Sequence, residues 1–198
     1  GADAEAPPLS PFGGEQGALI WVQYMRFLRR TADAGHARQL FLRARKWQQS
    51  SPATAAGAHP GGTRKCTGWQ LYAAAARMEW NADRGSAAIA KKIFELGMED
   101  ARLVKDPDFI MAYHSFLVDA GDADNARAVC ERGLAEPENS GCERLWHMYA
   151  AFEYEQGELA AASEVERRMQ AALAAASSAQ PVSPAPALHL ALLKYGFG

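Results

Sequence analysis

Large apolar side chains recur at three-residue steps in several stretches of the chain. Trp21, Tyr24 and Phe27 form one such triplet, and Ile110, Tyr113, Phe116 and Trp146, Tyr149, Phe152 repeat it. A fourth stretch opens the same way with Trp69 and Tyr72 but has Ala75 in third place. Further apolar residues follow one turn on with polar residues between them, which is the period of a helix rather than of a strand. A turn signal follows each stretch, at Gly35, residues 81–85, Gly121-Asp122 and Gly157. Beyond it lies a second helical pattern of its own kind. Ala37-Arg38-Gln39-Leu40-Phe41 is matched by Ala90-Lys91-Lys92-Ile93-Phe94, by Ala126-Arg127-Ala128-Val129-Cys130 and by Ala162-Ser163-Glu164-Val165-Glu166, at steps of 53, 36 and 36 residues. The middle aromatic precedes the aligned Ala by 13 positions in three units, and by five more in the unit of Tyr72 and Ala90. The chain therefore repeats.

Each unit predicts a helical hairpin in which a first helix with bulky side chains packs on a second helix lined with Ala, large against small. The repeat-packing residues expected from this pattern are Trp21, Tyr24, Phe27, Trp69, Tyr72, Tyr113, Phe116, Trp146, Tyr149 and Phe152. One hairpin cannot bury its apolar stripe alone, so neighbours must stack and share a core. The predicted fold is all-α, a right-handed α-solenoid of TPR-like hairpins.

Composition agrees with an all-helical chain. Ala supplies about a fifth of the residues, whereas Val, Ile and Thr together supply only about 7%. The expected organisation is a flexible segment at 1–17, a hairpin at 18–47, a disordered low-complexity insertion at 48–66 and a long hairpin at 67–102. Further hairpins follow at 106–136 and 142–176, then a Pro/Ser/Ala linker at 177–187 and the start of another helix at 188–198. Residues 48–63, QQSSPATAAGAHPGGT, carry no charge, two Pro and three Gly, which is linker chemistry. The opening Gly1-Ala2-Asp3 shows neither an initiator Met nor a signal peptide, as expected of an excerpt from a longer protein. No stretch has the roughly 20 consecutive apolar residues of a membrane span. Cys66, Cys130 and Cys142 lack any Cys-x-x-Cys spacing, which suits incidental thiols in a reducing compartment.

The net charge of −2 excludes a histone-like nucleic-acid binder, but the charge is unevenly spread. Between Trp21 and Lys46 seven basic residues face one acid, and between Glu131 and Glu166 nine acids face two arginines. Arg29, Arg30, Arg43, Arg45 and Lys46 form a candidate docking patch for an acidic protein surface or, less well, for RNA phosphates. Arg38 and Arg127, at equivalent places in their hairpins, are read as braces. RNA binders usually interleave exposed aromatics with basic residues, and this pattern puts the aromatics on the packing stripe. RNA contact is therefore expected to be mostly indirect.

Nothing in the sequence assembles a catalytic or cofactor site. Gly57-x-x-x-x-Gly62-Thr63 lacks the Lys and the preceding strand of a phosphate-binding loop. His36, His59, His114, His147 and His189 have no partner at zinc-ligand spacing. Glu153, Glu155, Glu158, Glu164 and Glu166 are too dispersed for an acid/base pair and read as a solvated face. No enzyme, cofactor or metal is expected.

An aromatic-x-x-aromatic helix followed by an Ala-Arg-x-aliphatic-Phe helix at mid-thirties spacing resembles the HAT (half-a-TPR) repeat of RNA-processing scaffolds. WVQYMRFLRR (Trp21 to Arg30), ARQLFLRAR (Ala37 to Arg45), KKIFELGMED (Lys91 to Asp100), FIMAYHSFL (Phe109 to Leu117) and DNARAVCERGL (Asp124 to Leu134) closely resemble the suppressor of forked family, the HAT-repeat subunit of cleavage stimulation factor. YAAAARMEW (Tyr72 to Trp80) matches an elongated unit of that family, and the resemblance runs from Leu19 to about Arg168. It implies a non-catalytic nuclear scaffold of mRNA 3′-end cleavage and polyadenylation that forms homodimers. The implied partners are the factor's RRM and WD40 subunits, the cleavage and polyadenylation specificity complex, and a second copy of the chain. Splicing scaffolds of the crooked-neck type share the HAT repeat and are the alternative, but the long second unit and the KIFELG run match the first family better. A helical RNA-binding domain is the third reading.

Overall fold

The computed structural model describes residues 14–50, 68–82 and 86–179. These are helical throughout with no strand among the described residues: α1 (Gly14–Thr31), α2 (Ala34–Ser50), α3 (Gln70–Trp80), α4 (Ala87–Met98), α5 (Ala101–Val104), α6 (Pro107–Asp119), α7 (Ala123–Leu134), α8 (Pro137–Ser140), α9 (Glu143–Glu155) and α10 (Leu159–Ala179). α1 packs on α2, α3 on α4, α6 on α7 and α9 on α10, as four antiparallel hairpins. The chain divides into two compact units, residues 1–139 and 140–198. The fold is an all-α, TPR-like helical repeat.

Local chemistry sets the hairpin turns. At the ends of α6 and α9 the chain reverses through Gly121 (φ 73°) and Gly157 (φ 79°), a left-handed conformation that costs glycine nothing. The Asp122 N–H then reaches back to the Leu117 carbonyl and the Glu158 N–H to that of Glu153, closing the same terminal loop twice. Asp122 caps the next helix by accepting from the Asn125 N–H. Ser86, Asp100 and Asp106 cap α4, α5 and α6 in the same way, with Pro107 at the first turn of α6.

Several spans differ from the sequence expectation. α1 already begins at Gly14, inside the segment expected to be flexible. α2 continues through Gln48 to Ser50, into the expected insertion. Gln48 is buried against Gly68, whose backbone (φ 70°) leaves no room for a Cβ beside the Gln48 amide, so packing extends the helix past its apolar pattern. α10 likewise runs to Ala179, three residues into the expected linker, since Ala174, Ala175 and Ala176 favour helix. The rest of the insertion, the rest of that linker and the expected helix at 188–198 lie outside the described residues.

In the unit of residues 1–139, three hairpins share one chain of rings. Phe41 of α2 meets Tyr72 of α3 edge-on at 5.6 Å, and Tyr72 meets Phe109 of α6 at 6.2 Å. Phe94 of α4 then lies 4.7 Å from Tyr113 in a parallel stack and 5.3 Å from Phe116, which Trp80 meets edge-on at 5.7 Å. Aromatic pairs of this kind add about 0.5–1.5 kcal/mol each beyond their burial. The second-helix alanines Ala37, Ala90 and Ala126 are buried beneath the bulky residues.

A second small position repeats seven residues after each of those alanines, at Ala44, Gly97 and Gly133. A Cβ on Gly97 would stand 2.5 Å from Phe109 Cζ, and one on Gly133 2.8 Å from Ile110 Cγ2. These glycines let α6 lie almost on the backbone of its neighbours. Gly97→Val should lower stability by about 1–3 kcal/mol through overpacking; a thermal melt at or above the parent midpoint would refute so close an approach. Asn139, fully buried, ties the end of this unit together by donating from Nδ2 to the Val104 and Gly133 carbonyls at 2.8 and 2.9 Å.

In the unit of residues 140–198, Leu145, Trp146, Tyr149, Ala150 and Phe152 of α9 are buried, as are Ala162 and Val165 of α10. The Trp146 indole N–H donates to the Ser140 carbonyl at 2.8 Å, and the Arg168 guanidinium lies 5.5 Å from the centre of its ring.

Candidate docking surface

The first hairpin carries the basic residues expected to form a docking patch, and its geometry divides them. Arg29 of α1 donates from Nη1 to the Met78 carbonyl and from Nη2 to the Asn81 carbonyl, both at 2.9 Å. It fastens α1 to the end of α3. Arg45 of α2 is mostly covered, with Nη2 3.7 Å from the Glu99 carboxylate. Neither presents its charge outward, because in each case the side chain falls on the side of its helix that faces the second hairpin. Arg30, Arg43 and Lys46 are exposed, as is Arg26. The outward basic surface of this hairpin is therefore those four residues.

Arg38 is a brace. Its guanidinium grips the buried Glu79 of α3 in a bidentate pair, with both N···O distances 2.7 Å. The hydrogen bonds and the charge of Glu79 hold the Arg38 pKa above its ordinary value. One hairpin on, Lys91 occupies the same place after its alanine and reaches Asp122 at 2.9 Å. Hydrogen bonds from Asn125 and then from Lys91 hold the Asp122 carboxyl below the usual carboxylate range. A cation immediately after the buried alanine of the second helix thus clasps an acid of the following hairpin twice over. Arg127 lies 3.5 Å from Asp124 of its own helix.

Of the residues expected to pack between repeats, Trp21, Tyr72, Tyr113, Phe116, Trp146, Tyr149 and Phe152 are buried, and Trp69 is half-buried at the N-cap of α3. Tyr24 and Phe27 are not: they are 43% and 50% exposed. The reason lies in the helical period. At about 100° per residue, each three-residue step slips some 60° backward, so from Trp21 the triplet leaves the face that α2 and α3 cover. That face is instead lined by Ala18, Trp21, Val22 and Met25. Tyr24 and Phe27, with the half-exposed Ile20 and Leu28, make a second apolar seam on the side of α1 turned away from α3.

The same slip buries Tyr113 and Phe116, because there the second hairpin stands on that side. Phe94 stacks on both rings, and the Tyr113 hydroxyl donates to the Glu95 carboxylate. Burial, and then Glu95, push the Tyr113 pKa well above the usual phenol value. The acceptors Glu79, Glu95 and Asp122 are not evident from the hydrophobic pattern, since what marks them is their offset from the repeat and not their residue type.

His36 faces Asp33 at 2.9 Å and His147 faces Glu143 at 3.2 Å, both on exposed helix surface, while His114 is buried in α6. Among the described residues no cluster of His, Cys, Asp or Glu is placed to hold a metal ion, and no helix is long and apolar enough to cross a membrane. Cys130 is buried and Cys142 half-buried, each as a thiol.

Comparison with known proteins agrees with this repeat architecture. Residues 13–184 match the family model described as suppressor of forked protein. The chain is 34% identical over 152 residues to the mRNA 3′-end-processing protein RNA14 of Cryptococcus neoformans, covering 77% of the chain and 12% of that protein. It is 31% identical over 185 residues to cleavage stimulation factor subunit 77 of Arabidopsis thaliana, covering 93% of the chain and 22% of the relative. With protein suppressor of forked of Drosophila melanogaster it shares 31% over 157 residues, covering 77% and 18%. The chain thus spans 12% to 22% of the length of these relatives. With the match running through all four hairpins, the chain belongs to the suppressor of forked family of mRNA 3′-end-processing proteins.

Proposed function

We propose that the chain acts as a non-catalytic scaffold segment in nuclear pre-mRNA 3′-end cleavage and polyadenylation. The observation that carries this reading is the family match over residues 13–184, joined to relatives whose names place them in mRNA 3′-end processing or cleavage stimulation. The geometry supports a holding role. Hairpins locked by Arg38–Glu79, Lys91–Asp122 and a shared ring core present loops and helix faces at fixed separations, as stacked repeats do. The partners proposed are the RRM and WD40 subunits of cleavage stimulation factor, the cleavage and polyadenylation specificity complex, and a second copy of the chain. A dimer would double each docking site and gain avidity. Arg30 and Lys46, exposed on one hairpin, suit an acidic partner surface whose attraction falls with salt.

The test is affinity capture from nuclear extract with residues 1–198 as bait, at moderate salt, read by mass spectrometry. Recovery of cleavage and polyadenylation factors, reduced when Arg30 and Lys46 are changed to Glu, is the expected result. Recovery of spliceosomal proteins in their place would move the chain to the crooked-neck type of scaffold, and recovery of neither would overturn the proposal for this segment.

A further inference from the structure

We propose that the furrow between α1 and α3, flanked by Arg26, Arg30 and Arg77, docks an extended acidic segment of a partner protein that carries an apolar side chain between its carboxylates. The inference rests on the scaffold reading above and deepens it by naming a surface and the chemistry that fits it. Its starting point is the distribution of partners among the cations. Arg26, Arg30, Arg43, Lys46, Arg77 and Lys92 have neither a hydrogen bond nor an ion pair among the described residues, whereas every described cation after Lys92 is engaged. All of the unpartnered ones belong to the first two hairpins. On the second helices they are scattered: Lys46 and Lys92 stand nine and two positions after their repeat alanines, about 10 Å apart along the helix direction. On the first helices they converge.

α1 packs alongside α3, and the Arg29 guanidinium, donating to the Met78 and Asn81 carbonyls at 2.9 Å, sets their C-terminal turns level. Arg30 stands six positions after Tyr24 and Arg77 five after Tyr72, so the two lie at nearly the same height. Arg26 is one turn before Arg30 on the same strip of α1. At about 100° per residue, Arg26 and Arg30 come next around α1 after Val22, which is buried on its covered side. Around α3, Met78 and Ala74 fall between the buried Leu71 and the exposed Arg77. The furrow thus has two arginines on one bank, one on the other, and the half-buried Met78 and Ala74 on the slope between them. α6 continues the row with Asp119 in register with Met78, so the surplus of positive charge ends there. Packed helix axes stand about 8–10 Å apart, a distance that an extended chain crosses in about three residues. Carboxylates three or four residues apart therefore reach both banks, and the side chain between them meets Met78 and Ala74. The planar fork of arginine takes a carboxylate in bidentate fashion, as Arg38 does with Glu79 in this molecule. A single RNA strand suits the furrow less well, because its slope offers no ring for a base to stack on.

The experiment titrates the chain with a labelled Asp-Glu-Leu-Asp-Glu peptide, blocked at both ends, and reads binding by fluorescence anisotropy at low and at physiological salt. Arg77→Glu and Arg30→Glu should each weaken binding by about tenfold or more, and Lys92→Glu, a reversal on the side of α4 away from α3, by less than about twofold. Added salt should weaken it too, and the amide peptide Asn-Gln-Leu-Asn-Gln should not bind. Arg77→Gln should keep the melting midpoint of the parent and still weaken binding, which separates docking from a role in completing the helix dipole. Three results would each overturn the inference: no binding of the acidic peptide, an equal loss with Lys92→Glu and Arg77→Glu, or labelled oligouridine that binds more tightly than the peptide and is released by Arg77→Glu. Capture from nuclear extract tells this failure from that of the scaffold reading. Processing factors recovered undiminished by the Arg77→Glu bait discard the furrow and keep the scaffold, whereas a parent bait that recovers none discards the scaffold reading whatever the peptide does.

Discussion

Phe94→Ala is expected to lower the stability of the 1–139 unit by about 3–5 kcal/mol, in the range for emptying a large aromatic site in a core. Phe94 is 1% exposed and touches Phe109, Tyr113 and Phe116, all from the next hairpin. Its removal strips the ring that lies between the second and third hairpins, and it leaves the Tyr113 hydroxyl and Glu95 joined across a void. The surrounding helices cannot close that space easily, since Gly97 already brings α6 to the limit of approach. Denaturant unfolding monitored by far-UV circular dichroism should show a lower midpoint with an unchanged slope. Phe94→Leu, which keeps most of the volume, should cost much less. Equal midpoints for Phe94→Ala and the parent would mean that the hairpins do not share this core.

Trp146→Ala should destabilise the 140–198 unit by a similar amount, about 3–5 kcal/mol. The indole is 4% exposed, its N–H satisfies the Ser140 carbonyl, and its face receives the Arg168 guanidinium. Truncation removes the ring packing, the hydrogen bond to Ser140 and the contact with Arg168 at once, and the lost hydrogen bond adds to the cavity cost. Trp146→Phe separates these contributions, since the ring stays while the hydrogen bond goes, and it should lose about 1–2 kcal/mol. Amide exchange read along α9 and α10 is the suitable measurement, because it reports on this hairpin alone. Unchanged protection in α9 and α10 after Trp146→Ala would contradict the packing described for this unit.

The two substitutions probe features of different legibility. Trp146 stands out in the sequence as the head of an aromatic triplet, and its burial follows from amphipathic period alone. Phe94 stands out only as a member of the Ala-x-x-x-Phe block, and its partners come from a hairpin that begins more than a dozen residues later. Gly97 and Gly133 read as ordinary breaks in helical propensity until the rings of Phe109 and the branches of Ile110 are seen against them. The charges divide similarly. Arg38 could be called a brace from its place in the repeat, whereas Arg29 and Arg45 look no different in sequence from Arg30 and Lys46, and only the direction of each side chain relative to α3 removes the first two from the outward surface.

By itself the sequence determined the helical class, the number of hairpins among the described residues and the family, because helical period, turn glycines and repeat register are written in local order. Which face of each helix is covered was decided only by tertiary structure. Tyr24 and Tyr113 have the same residue type, the same register and the same local pattern, yet one is open and the other stacked on Phe94. Burial belongs to a pair of surfaces, and for Tyr113 the second surface is Phe94 of another hairpin, which the local pattern does not name.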